Sequence, residues 1–233
     1  MLDLAVDRIR HPEEETVSST PYVVSDVMTR APVAVGRDAP FKDVVRLMEQ
    51  WKVSALPVLE GEGRVIGVVS EADLLPKEEF RNRDLDRYTQ LHRLSDLAKA
   101  DALTAEELMT SPVVTVHPDS TLAQAARIMA QRKIKRIPVV NGEGLLEGIV
   151  SRADLLKVFL RPDKEIADEI QGDIVDVLFP APLEPIHTMV GDGVVTLTGK
   201  IEDARQIPLT VRLVQAVEGV VDVDCRLRGA DAG

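Results

Sequence analysis

The residues with the clearest chemical potential occur twice, each time as a serine followed three positions later by an aspartate. Ser70 precedes Asp73, and Ser151 precedes Asp154. At this spacing the hydroxyl and the carboxylate can form a capping box, which satisfies free N–H groups where a helix begins. The same N–H groups can bind a phosphate, and a carboxylate beside them suits the two hydroxyls of a ribose. The serine–aspartate pair can therefore act as a structural cap, as a ligand contact, or as both at once.

Basic residues distinguish the two copies of this pattern. The second copy carries Lys133, Lys135 and Arg136, whereas the aligned positions of the first carry Lys52, Ser54 and Ala55. A guanidinium two residues before Pro138, at the start of a strand, can form charge-assisted hydrogen bonds to a phosphate. Alternatively, the cluster only complements the negative end of the preceding helix. If the first interpretation holds, a site in the first copy should bind phosphate less well or stay empty.

An internal repeat determines which elements position these residues. Residues 28–75 align with residues 109–156 without a gap, and about twenty of the 48 positions are identical. Each copy predicts the order β-α-β-β-α, with a glycine-rich hairpin turn between the last two strands and a final helix that begins at the serine. Pro76 is expected to shorten that helix in the first copy. One copy alone cannot cover its sheet, so we expect a pseudo-twofold pair.

The repeated pattern resembles the CBS motif. It consists of residues 56–59 with 67–75, and it recurs as residues 137–140 with 148–156. Pairs of such motifs, called Bateman modules, usually bind adenosyl ligands such as AMP, ADP, ATP or S-adenosylmethionine in clefts between the motifs, and typically form dimers. Arg136 resembles the family's phosphate-contacting position. The resemblance implies nucleotide contacts at Ser151, Asp154, Lys135, Arg136, Ile137, Ser70, Asp73 and Leu56.

Residues 164–228 resemble a BON domain. The similarity rests on residues 190–199 and 217–223, which predict an α+β layer of strand, turn, strand, helix and strand with Val195 and Leu197 on one face. BON domains are usually associated with membrane surfaces or protein partners and are not catalytic. Residues 165–228 contain twelve Asp and Glu but five Lys and Arg. This balance disfavours anionic lipid and favours a protein partner.

Composition narrows the class of protein further. The net charge of −11 argues against binding to nucleic acid, which depends on clustered basic residues. A single cysteine, Cys225, excludes an intramolecular disulfide, and no apolar run is long enough to span a membrane, so we expect a cytoplasmic protein. Neither a nucleophile–base pair nor a metal-ligand spacing is recognisable, and an enzyme is the least favoured class.

The expected fold is α/β (α+β): two β-α-β-β-α CBS repeats packed as a pseudo-twofold pair, plus a small α+β BON-like domain. The expected segments are a flexible arm (1–20), CBS motif 1 (21–76), a charged linker (77–104), CBS motif 2 (105–161), the BON-like domain (164–228) and a tail (229–233). Wide apolar helix faces predict a homodimer. We expect a non-catalytic sensor that binds an adenosyl ligand and relays its state to a partner through the BON-like domain. The alternative is a structural dimerising adaptor without a small-molecule ligand, whose BON-like domain binds a protein or a membrane surface.

Overall fold

The computed structural model describes residues 22–81 and 94–230. These form two compact units, one of residues 22–160 and one that begins at Arg161. The predicted arm of residues 1–20 lies outside the described residues. So do residues 82–93 of the predicted charged linker.

The first repeat follows the predicted order of elements. Its bounds are α1 Val24–Val27, β1 Thr29–Arg30, β2 Val35–Gly36, α2 Phe41–Trp51, β3 Ala55–Glu60, β4 Arg64–Ser70, α3 Glu71–Leu74 and α4 Pro76–Glu79. Helix α2 buries Val44 and Met48 and ends at Lys52, which adopts a left-handed backbone conformation. Strand β3 pairs with β2 in parallel and with β4 in antiparallel orientation. The antiparallel pair is joined by the predicted glycine turn.

The second repeat uses the same order, except that the strand predicted before its long helix is reduced to a single parallel bridge between Val116 and Val139. Its elements are α5 Leu94–Asp101, α6 Ala105–Leu108, α7 Leu122–Arg132, β5 Arg136–Val140, β6 Leu146–Ser151, α8 Arg152–Leu155 and a 3-10 helix Leu156–Leu160. Both serine-capped helices, α3 and α8, are four residues long. Because α8 has no proline at its end, Pro76 does not explain the shortness of α3. Pro76 instead begins a new helical turn, α4.

Each repeat pairs its leading segment with the sheet of the other repeat. Thr29 pairs with Ile149 of β6, and Thr110 forms the equivalent bridge to Val68 of β4. The short helices follow the same rule. The Val24 N–H donates to the Ser120 carbonyl at 2.9 Å, and the Ala105 N–H donates to the Ala39 carbonyl at 2.9 Å. These equivalent pairs across the interface confirm the expected pairing of the repeats.

The hydrophobic cores show the same exchange. Val24, Val27 and Met28 are buried with residues of the second repeat, among them Leu122 and Met129. The other core takes in residues from the segment that leads into the second repeat and buries them with the first repeat. Its contributed residues are Ala102, Ala105 and Leu108, and its host residues include Val44, Met48, Leu56 and Val69. Each repeat therefore completes the core of the other, and burial of these aliphatic side chains stabilises the pair as a whole.

The second unit contains the predicted α+β layer. Its elements are α9 Asp163–Glu169, a π-helix Ile170–Val175, α10 Asp176–Leu178, β7 Glu184–Gly191, β8 Val194–Ile201, a 3-10 helix Ala204–Gln206, α11 Ile207–Gln215 and β9 Asp222–Gly229. Strand β8 lies centrally, antiparallel to β7 and parallel to β9. Val195 and Leu197 are fully buried as predicted. The carboxylate of Asp163 accepts the N–H groups of Asp192 and Gly193, both at 2.9 Å, and so fixes the β7–β8 turn.

Candidate functional site

A cleft of about 290 Å³ lies between the two repeats. The first repeat contributes the start of β3, part of β4 and the residues around the cap of α3. The second contributes the segment before its sheet and the turn between α7 and β5. The lining residues are Ser54, Ala55, Val68, Ser70, Glu71, Ala72, Asp73, Thr110, Pro112, Val113, Val114, Lys133, Ile134, Lys135, Arg136 and Pro138. The volume is close to the lower end of the range of about 300–1,000 Å³ that is typical of small-molecule sites.

Asp73 is the buried carboxylate of this cleft, with a side chain that is 11% exposed. One of its oxygens accepts the N–H of Ser70 at 2.7 Å and the hydroxyl of Ser70 at 2.6 Å. This is the predicted capping arrangement at the start of α3. The other oxygen forms an ion pair with Lys99 of α5 and accepts the hydroxyl of Thr110 at 3.4 Å. The carboxylate thus draws partners from three separate segments of the chain.

The second repeat contributes basic residues to the cleft. Lys133 ends helix α7 in a left-handed conformation with φ of 55°, which turns the chain directly into β5. Lys135 and Arg136 follow at the start of that strand, where the Arg152 N–H donates to the Lys135 carbonyl at 3.1 Å. The Arg136 side chain crosses to the first repeat and donates a hydrogen bond to the hydroxyl of Ser54. Three basic residues of the second repeat therefore line the same cleft as Glu71 and Asp73 of the first.

The remaining walls are apolar. They are formed by Ala55 and Val68 of the first repeat and by Val113, Val114 and Ile134 of the second. An apolar cleft that also contains a buried carboxylate and basic residues can accommodate a ligand with an apolar part, hydroxyl groups and an anionic group.

The second serine–aspartate pair has its own local network. The hydroxyl of Ser151 donates to Asp154 at 2.6 Å, its N–H donates at 2.9 Å, and Lys157 forms an ion pair with Asp154 at 2.7 Å. Burial raises the pKa of Asp154, but the hydrogen bonds from Lys157 and Ser151 outweigh it, and the net pKa lies below the ordinary value. Asp154 is therefore ionised at neutral pH.

The structure brings half of the eight predicted site residues together in the cleft: Ser70, Asp73, Lys135 and Arg136. Ser151 and Asp154 do not line it, although the backbone of Arg136 pairs with Ser151. Leu56 and Ile137 are each 0% exposed. They are packed inside the two cores, where they support the strands that border the cleft.

One sequence-based expectation has to be corrected. The basic cluster belongs to the second copy, and a site in the first copy was expected to lack its charge. Lys135 and Arg136 instead line the cleft of Asp73. The reason is the pairing of the repeats, which places the start of β5 beside the cap of α3.

Sequence reasoning missed Lys99 and Thr110, which both contact Asp73. Lys99 lies in a stretch interpreted as a surface linker, where a lysine carries no distinguishing signal. Thr110 had a detectable signal, because Met109-Thr110 repeats Met28-Thr29 just before a predicted strand.

The CBS domain model matches residues 24–77 and 105–161, and the BON domain model matches residues 162–231. The chain belongs to the CBS-domain proteins and carries a tandem CBS pair followed by a BON domain.

Relatives of known sequence and structure agree with this assignment. The chain is 33% identical over 154 residues to the uncharacterized protein MJ1426 of Methanocaldococcus jannaschii, covering 59% of this chain and 91% of the relative. It is 30% identical over 159 residues to the chloroplastic CBS domain-containing protein CBSX2 of Arabidopsis thaliana, covering 62% and 66%. A crystal structure of CBSX2 in complex with AMP superposes with a TM-score of 0.53 at 30% identity, covering 60% of this chain and 97% of that one.

In residues 22–81 and 94–230, no helix is both long enough and apolar enough to cross a bilayer.

Proposed function

We propose that the protein is a non-catalytic regulatory sensor whose CBS pair binds an adenosyl ligand of the AMP type in the cleft of Asp73 and Arg136. The observation that carries this proposal is the convergence, in one cleft, of a buried carboxylate from the first repeat and a basic cluster from the second. CBSX2, which shares the CBS-pair fold, has been solved with AMP, and this supports the ligand class.

Each part of the cleft has a role in this proposal. The apolar walls around Val68 and Val114 exclude water from the purine. Asp73 accepts hydrogen bonds from the ribose hydroxyls. Such hydrogen bonds are stronger when the acceptor is charged. Arg136 and Lys135 form charge-assisted contacts to the phosphate. S-adenosylmethionine has no phosphate, so the basic cluster favours AMP, ADP or ATP over it.

Binding in this position links the two repeats, because one half of the ligand is held by each. A ligand shifts the equilibrium between two arrangements only by its differential affinity for them. A ligand that needs both Asp73 and Arg136 favours the arrangement that brings these side chains close. In our proposal the BON domain relays the ligand-bound state to a protein partner. The protein is proposed to be a cytoplasmic homodimer, and its domains are proposed to have the bounds expected from the sequence.

Calorimetry of the full chain with AMP, ADP, ATP, NAD and S-adenosylmethionine tests the proposal. We expect at least one phosphorylated adenosyl compound to bind, and we expect Asp73→Asn to weaken it while Asp154→Asn leaves binding at this cleft unchanged. Absence of binding by every compound in the panel contradicts the sensor function.

Exposed apolar side chains favour a second candidate, the dimerising adaptor. Trp51 is 56% exposed, and the equivalent leucines Leu75 and Leu156 are 65% and 61% exposed. An adaptor that binds no nucleotide would still form a dimer through such residues. The calorimetric panel separates the two candidates, since the sensor alone requires a ligand.

A further inference from the structure

The amine of Lys99 is bound to one oxygen of Asp73, the carboxylate that the proposed function assigns to the ribose. A carboxylate offers about four acceptor positions. In Asp73, one oxygen is used by the N–H and hydroxyl of Ser70, and the other by the Lys99 amine and the Thr110 hydroxyl. Two ribose hydroxyls cannot be accepted while all four partners remain. Ser70 is fixed because it caps α3, so the ligand has to displace the partners on the other oxygen.

Lys99 belongs to helix α5, whose side chains are all at least partly exposed. Helix α5, residues Leu94–Asp101, has no buried residue along its described length. Its polar contacts to the first repeat include the Lys99–Asp73 ion pair and a hydrogen bond from Lys77 to the Ala100 carbonyl at 3.0 Å. A helix with little apolar burial unfolds or shifts locally at a small cost in free energy.

The second repeat provides a direct contrast. The ion pair of Asp154 is made by Lys157, three residues further along the same segment. Breaking that pair frees one side chain and leaves the helix in place. Breaking the pair of Asp73 removes an attachment of the helix that leads into the second repeat.

We propose that Lys99 is displaced from Asp73 when the ligand binds, so that helix α5 is released and reports the occupancy of the cleft. The proposal rests on the proposed function and adds its regulation. The amine acts as an internal competitor that lowers the apparent affinity for the ribose. It also couples ligand entry to the connection between the two repeats, since the ligand has different affinities for the docked and released states of α5.

Hydrogen–deuterium exchange of the full chain with and without AMP tests this coupling. We expect saturating AMP to raise the exchange rates of amides in residues 94–101 by about tenfold. Lys99→Met should show the raised rates without AMP and no further rise with it. Calorimetry should show that Lys99→Met binds AMP about tenfold more tightly, which matches the loss of one charge-assisted contact that the ligand no longer has to break.

Lys157→Met is the matched control, because it removes the lysine from the other aspartate. Exchange in residues 94–101 should then be as in the parent, with and without AMP. If AMP binds the parent but exchange in residues 94–101 stays constant or slows, the coupling is refuted and the proposed function stands. Weaker AMP binding by Lys99→Met also refutes it, because Lys99 then contacts the ligand directly. If neither the parent nor Lys99→Met binds AMP, the proposed site itself fails and the coupling fails with it.

Discussion

The side chain of Arg136 donates a hydrogen bond to the hydroxyl of Ser54, across the boundary between the two repeats. The backbone of the same arginine pairs with Ser151 in its own sheet. Arg136 therefore borders both serine–aspartate motifs, but its guanidinium lines the cleft of the first. In the proposed function, this relationship pairs Arg136 with Asp73 as the two residues that hold one ligand.

The first prediction separates the two ends of the ligand. Asp73→Asn should weaken AMP and adenosine alike, by about 1–3 kcal/mol, because both carry the ribose hydroxyls. Arg136→Ala should weaken AMP and leave adenosine almost unaffected, because only AMP has a phosphate. Titration calorimetry with both compounds gives the comparison.

Asp154→Asn is the control for the first prediction, since it makes the same change outside this cleft. The assignment of the cleft is incorrect if Asp154→Asn weakens both AMP and adenosine while Asp73→Asn weakens neither. Arg136 would then bind the phosphate of a ligand held by Asp154 of the second repeat.

The second prediction concerns the pH dependence of stability. The folded-state pKa of Asp154 is lowered from the ordinary value of 3.8, so its charged form is favoured by folding. Its contribution is fully present above pH 3.8 and is lost as the pH falls through the lower folded pKa. Urea unfolding of Asp154→Asn and the parent should differ at neutral pH, and the difference should shrink below pH 3.8. A difference that grows on acidification would contradict the sign.

The third prediction tests the interface between the repeats. A Cβ at Gly67 would lie 2.3 Å from the Met109 sulfur, and one at Gly148 would lie 2.5 Å from the Met28 sulfur and 3.0 Å from the Thr29 carbonyl. Gly148→Ala should therefore reduce the free energy of unfolding by about 1–3 kcal/mol, as overpacking does. Gly142→Ala, where a Cβ meets nothing within 4 Å, is the control. Urea denaturation should show no loss for the control, and equal stability of the two variants would argue against tight packing at Gly148.

The fourth prediction concerns assembly. Trp51 ends helix α2 and is 56% exposed, and Val45 on the same helix is 41% exposed. We expect light scattering at tens of micromolar to give a dimer, and Trp51→Glu to shift it toward the monomer, because a charge in an apolar interface is costly. A parent chain that scatters as a monomer of about 25.6 kDa rules out the proposed dimer.

The fifth prediction concerns lipid. Residues 165–228 contain twelve acidic and five basic residues, and the whole chain has a net charge of −11. We expect the full chain to remain in the supernatant when it is sedimented with phosphatidylserine vesicles. Co-sedimentation that is reversed by salt would show that local basic patches outweigh the net charge.

The order of elements was predictable because it rests on local patterns that the chain contains twice. The duplication fixed the β-α-β-β-α order, and the alternation around Val195 and Leu197 fixed the face of β8 that is buried. Ser70 and Asp73 were identifiable as a cap for the same reason, since a capping box depends on residues three positions apart.

The composition of the cleft was only partly predictable, because it depends on which repeat faces which. Arg136 belongs to the same repeat as Ser151, yet its side chain extends toward Ser54 of the first repeat. Lys99 could not be found, because an ion pair between distant segments leaves no periodicity in the sequence. Leu56 and Ile137 were expected to contact nucleotide because they lie on strands of the repeated motif. Their side chains point into the cores instead, since the packing of each core determines which face of a strand is buried.

The exchange of α1 and α6 between the repeats has a consequence for how such a chain arises. In a single repeat, the leading helix would have no neighbouring core to fill. The core of that repeat would also lack the helix that a neighbour supplies, and would be exposed at that position. Two identical copies could satisfy each other by symmetric swapping, as in a twofold dimer. Joining them in one chain makes the exchange intramolecular, so that each helix meets its site at a high effective concentration. The segment before residue 105 thus acts as a tether, and cutting it would convert a folding reaction into a binding reaction between fragments.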